Sequence, residues 1–141
     1  MPSFRIAPAL ASSLLLFSLA APASEQEIRD DIPLGSQVFA EICAKCHQDN
    51  GEGEGALYPS LHNPALLHDR SLLIQTILNG RKGHLEGAAD KDTTLMPPLN
   101  FLTDTEIVAI IAYITNSWGG EVLVVTEKEV QAARASMPSS E

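Results

Sequence analysis

Cys43-Ala44-Lys45-Cys46-His47 places two thiols three positions apart, with an imidazole directly after the second. Two thiols so spaced at a helix end can each add to one vinyl group of a porphyrin, and the adjacent histidine then sits below the ring to ligate iron. Other chemistries use the same pieces. A thioredoxin-type redox pair needs a preceding strand in a βαβ context, whereas Leu34 to Ile42 carries Val38, Phe39 and Ile42 at helical spacing. Zinc needs a fourth tetrahedral ligand, and only the isolated His62, His68 and His84 offer one. A disulfide across the pair is the reading without a cofactor. The C-x-x-C-H order favours one covalent haem c, with Cys43 and Cys46 as its anchors and His47 as the proximal iron ligand.

The sixth iron position decides what such a group can do. Met96, Met137, His62, His68 and His84 are the candidates. Met137 sits in a polar tail past the last helix, which predicts a solvent-exposed side chain. Met96 precedes Pro97-Pro98 in a long loop, where the prolines restrict the backbone and reduce the entropy lost in holding a ligand. A lone methionine is otherwise core filler. The loop context favours Met96 as the iron ligand, and His62 is its nearest rival.

The elements that must position these residues are helices. Ser24 to Ile32 is polar and acidic and reads as a mobile leader, with Pro33 opening the first helix. Asp49 to Gly55 alternates glycines with acids and forbids regular structure. Its acids miss the D-x-[DN]-x-[DN]-G order of a calcium loop, so the segment reads as a solvated turn. A second helix is expected from about Ser71 to Asn79-Gly80, followed by an irregular stretch from Gly80 to Leu102. Thr103-Asp104-Thr105-Glu106 is a capping box that launches the most apolar helix, ending near Trp118. A second box, Thr126 to Glu129, starts a short terminal helix, and Val122 to Val125 before it has the composition of a brief extended segment. The class is all-α, with three to four helices around the haem and a short C-terminal extension.

Composition adds exclusions. Eighteen acids against nine bases give a net charge of −9 among 141 residues, which argues against nucleic acid as a partner. The apolar run from Ala9 to Ala21, closing on Ala21-Pro22-Ala23, has the layout of a secretory signal peptide and is too short for a bilayer core of roughly 30 Å. No stable membrane span is expected. Cleavage near Ala23 leaves 118 of the 141 residues, removes Arg5 but no acid, and takes the charge to −10. The resulting organisation is signal peptide 1–23, leader 24–33, haem domain 34–118 and extension 119–141, exported to the periplasm. Aromatics are only 5% of the chain, as expected where a porphyrin is the large flat piece of the core.

From Leu34 to Trp118 the sequence resembles the class I cytochrome c family. Gly35 and Phe39 match the glycine and aromatic before the first cysteine, and Ile110 and Tyr113 match the residues of the final helix that they cross. Tyr58-Pro59-Ser60-Leu61 resembles the Pro-x-Leu segment, which implies that the Pro59 carbonyl accepts the free N–H of His47. Met96-Pro97-Pro98 followed by Leu102-Thr103-Asp104 resembles the bacterial methionine loop and final helix. No pattern marks the propionate contacts, for which Tyr58, Arg81 and Lys82 are the available donors. The tail Val125 to Arg134 is similar to tails of cytochromes that serve periplasmic dehydrogenases and reductases. The resemblance implies one-electron transfer between periplasmic redox proteins, docked transiently through basic surfaces on those partners, rather than an enzyme. Two other functions remain open: a dedicated cytochrome subunit of a larger oxidoreductase, and a haem-based gas sensor.

Overall fold

Two helices cross with a glycine between them, and the other described elements are arranged around that crossing. In the structure, a computed structural model describing residues 23–54, 58–62, 64–83 and 93–137, α1 spans Ala23–Val38 and α5 spans Asp104–Ile114. A Cβ placed on Gly35 would lie 2.1 Å from the carbonyl oxygen of Ala109 and 2.7 Å from Tyr113 Cβ, so the two backbones touch where no side chain fits. Phe39, Tyr113 and Trp118 close the crossing as a tilted cluster, with Phe39 5.4 Å from Tyr113 and 5.2 Å from Trp118 between ring centroids.

α1 starts well before Pro33, which corrects the expectation of a mobile leader over Ser24 to Ile32. Pro33 costs the helix one backbone bond but lies exposed. Asp31 and Ile32 are half-buried, so tertiary packing extends a helix that local propensity would stop. Beyond Val38 the helix widens into a π turn over Phe39–Cys43, then tightens into α2, Ala44–His47. Residues 1–22, most of the expected signal peptide, lie outside the described residues.

The remaining helices are α3 (Pro64–Leu67), α4 (Arg70–Asn79) and α6 (Glu127–Ala135). Asp69 caps α4 by accepting the Leu72 N–H at 2.9 Å. Both expected capping boxes form, Thr103 with Glu106 on α5 and Thr126 with Glu129 on α6. The stretch from Gly80 to Leu102 is not wholly irregular: β1 (Arg81–Gly83) pairs antiparallel with β2 (Thr93–Met96), placing Arg81 opposite Met96. Period-2 patterning does not reveal three- and four-residue strands, which are too short to show it.

Core residues from every helical layer meet at Phe39, Leu67, Leu78, Ile107, Ile111 and Val130, each 2% exposed or less. The extension therefore belongs to the body of the fold. Val125 and Val130 are buried, and the buried hydroxyl of Thr115 donates to Ile111 O at 2.7 Å while accepting the Leu123 N–H at 3.1 Å. Val122 to Val125 form no strand. Met137 is half-buried against this core, contrary to the solvent exposure its polar surroundings predict. Among the described residues no helix is long and apolar enough to cross a membrane.

Candidate functional site

The π turn ends at Cys43, and α2 carries Cys46 and His47, so the wide turn adjusts the helical phase at the point where the thiols begin. Both cysteines are free and half-buried. Burial pushes the Cys43 thiol up to about 11, with Cys46 nearby adding to the shift, so at neutral pH it is held as the neutral thiol. Gln48, the next residue after His47, has φ +63° and ψ 160°, a backbone region otherwise reserved for glycine. The chain turns sharply there and returns beneath the imidazole.

That return is built from short hydrogen bonds. Gly53 N–H donates to His47 O at 2.9 Å, and Glu54 and Tyr58 exchange backbone bonds at 2.7 and 3.3 Å. A Cβ on Gly53, which has φ +67°, would meet Tyr58 O at 2.1 Å. Pro59 is thereby brought to His47, whose Nδ1 lies 3.0 Å from the Pro59 carbonyl oxygen. A carbonyl only accepts, so the proton resides on Nδ1 and the Nε2 lone pair is left for a metal. The glycine-acid segment is thus more than a solvated turn. Its acids Glu52 and Glu54 are exposed, but Gly51 is buried under Trp118, with 2.8 Å between the ring and a Cβ placed there.

His62 belongs to this side too. Its Nε2 lies 2.9 Å from Asn50 O and its ring stacks on Trp118 at 5.8 Å, so the imidazole is engaged by the loop. His68 is exposed in the turn between α3 and α4, and His84 lies outside the described residues. Among the described residues, no three His, Cys, Asp or Glu side chains gather as a set able to hold a bare metal ion. Thiols one helical turn apart and an oriented imidazole instead fit a macrocycle that brings its own equatorial nitrogens to iron.

Met96 ends β2, half-buried against the core. Its carbonyl oxygen lies over Gly80, where a Cβ would come within 2.2 Å. Pro97 and Pro98 follow, exposed, and then Leu99 N–H donates to Ile77 O at 2.9 Å. Arg81 and Lys82 are exposed on β1 beside Met96, while the half-buried Tyr58 stands on the His47 side next to Pro59. Grooves of about 330 Å³ and 530 Å³ occur between α4 and α6 and beside α5, and neither is lined by Cys43, Cys46, His47 or Met96.

Two contributors are missing from the sequence reading, Gln48 as the turning residue and Gly51 as the seat of Trp118, and Arg134 enters it only as the end of the tail. The Arg134 guanidinium bonds Asp104 Oδ1 at 2.7 Å and Asn100 O at 2.6 Å, and also bonds Leu102 O. The tail pattern ending in that arginine is the available signal, and it carries no indication of where the guanidinium lands.

Comparison with known proteins gives a consistent set of relatives. A family profile described as Cytochrome c matches residues 32–118. The chain is 33% identical over 111 residues to cytochrome c-552 of Thermus thermophilus, covering 72% of this chain and 84% of that one. It is 32% identical to the gluconate 2-dehydrogenase cytochrome c subunit of Pantoea cypripedii, covering 74% of this chain and 25% of the subunit. A cbb3-type cytochrome c oxidase subunit FixP of a Bradyrhizobium species is 32% identical over 93 residues, covering 64% and 28%.

Proposed function

Since this chain belongs to the cytochrome c family, whose members bind haem c covalently and transfer electrons, we propose that it is an exported single-haem carrier with His47 and Met96 as axial ligands. Cys43 and Cys46 are the covalent anchors in this reading. The haem iron supplies a one-electron couple when bound there. With His47 and Met96 both given to the iron, no position would be open to a substrate, and the protein would pass electrons between partners rather than act as an enzyme.

One observation carries the reading: the contact of His47 Nδ1 with Pro59 O, which fixes the tautomer and orients Nε2. Met96 is supported by its half-burial and by a backbone pinned between Gly80 and the Ile77 carbonyl. Tyr58 and Arg81 are the polar groups assigned to the propionates in this reading. The net charge of −9 favours partners with basic docking surfaces, and their association weakens with added salt. Export to the periplasm follows from the first 23 residues, with cleavage near Ala23.

Optical spectroscopy of the purified holoprotein beside Met96→Ala tests the ligand set. The sulfur-to-ferric-iron band is present in the wild type and absent from the variant; an unchanged spectrum overturns the assignment. The second reading, a dedicated subunit of a dehydrogenase, draws on the Pantoea relative. A stable complex on size-exclusion chromatography of native extract favours it over the free carrier.

A further inference from the structure

Arg134 lies far from the methionine in sequence, yet its guanidinium closes on the segment that follows Met96. It bonds Asn100 O at 2.6 Å, Leu102 O, and Asp104 Oδ1 at 2.7 Å, tying two carbonyls of the segment before α5 and a carboxylate in its first turn. The arginine itself is held. Its helix buries Val130 completely, pairs Glu129 with Arg70 at 3.2 Å, and bonds Glu127 to the Thr105 hydroxyl at 2.5 Å. Between Met96 and Asn100 there is little slack, because Pro97 and Pro98 fix φ and Leu99 N–H is bonded to Ile77 O.

We infer that Arg134 is a positioning residue for Met96: the C-terminal helix uses its guanidinium to hold the methionine segment closed, and so sets how readily the sulfur leaves iron. This rests on the reading of Met96 as the sixth ligand. A planar fork is required, because three acceptors in different directions are met by one side chain, and a lysine ammonium cannot span them. Loss of the clamp raises the population of segments swung away from the ring, and an external ligand then binds in proportion to that population.

The test is a titration of ferric holoprotein with imidazole, followed by loss of the sulfur-to-iron band. In Arg134→Lys the apparent affinity for imidazole rises about tenfold, the loss of one charge-assisted hydrogen bond. Arg70→Gln breaks a second ion pair of the same helix without touching residues 100–104, and leaves the affinity at the wild-type value. Equal affinities in Arg134→Lys and wild type overturn the inference, as does an equal rise in both variants, which makes the effect one of helix docking alone. A wild-type protein without the band, or a Met96→Ala protein that keeps it, is the separate failure of the ligand reading.

Discussion

Between His47 and His62 the backbone hydrogen bonds run within the segment itself, with Trp118 laid over Gly51 and His62 from outside. Gly53 bonds back to His47, Leu61 to Gly51, and Glu54 to Tyr58. The segment from Met96 to Asp104 is held from elsewhere: by Ile77, by Gly80 and by Arg134 at the far end of the chain. The first half closes loops of about four to ten residues, at modest entropic cost for each bond made. The second depends on contacts that exist only once α4, α5 and α6 have packed. Two candidate ligands of one iron are therefore positioned by different kinds of order, one local and strained at Gln48, the other assembled from distant parts.

The most damaging way to break this contrast is to part the crossing on which both halves depend. Gly35→Val drives side-chain atoms into the Ala109 carbonyl, and we expect a loss of about 4 kcal/mol or more in urea unfolding of the holoprotein. Both halves then lose amide protection together. A variant confined to the His47 side comes next. Gly53→Ala meets Tyr58 O in a left-handed backbone and costs about 3 kcal/mol. Hydrogen exchange should rise across residues 47–62 while residues 99–107 keep their protection; a uniform rise defeats the idea of two separable halves.

The smallest effect sharpens the Met96 side. The Glu106 carboxyl is held below its ordinary value of 4.5, first by the Thr103 backbone N–H and then by its hydroxyl. A lowered folded pKa means that the stabilisation is fully present above the ordinary value and is lost as pH falls through the folded one. Glu106→Gln should thus lower stability by under about 1 kcal/mol at neutral pH, the group being nearly exposed. The difference from wild type shrinks on acidification, which thermal melts at pH 7 and at about pH 3 will show. A difference that grows with acid contradicts the cap.

The His47 half was the more legible of the two in the sequence, for the same physical reason. Its motif is contiguous, the family resemblance points to Pro59 a short interval on, and both capping boxes are likewise patterns of four residues. Gly35 was readable through the family resemblance, and the structure gives its physical reason in the close approach of two helix backbones. What escaped was set by tertiary packing. The leader joined α1 because Asp31 and Ile32 are half-buried in the assembled fold, and Met137 was recruited to the core despite its polar neighbours. Arg134 could be noticed but not placed, since nothing local tells a guanidinium which carbonyls it will meet.

The short ladder between β1 and β2 bears on how this chain tolerates change in length. Arg81 is registered against Met96, and Met96 is fixed over Gly80, so the two ends of the connection 84–92 are pinned independently of what joins them. The closure penalty of such a connection grows only logarithmically, each doubling adding about 0.6 kcal/mol. The position of Met96 is thus set by the ladder and by Gly80, and not by the length of chain between the two strands.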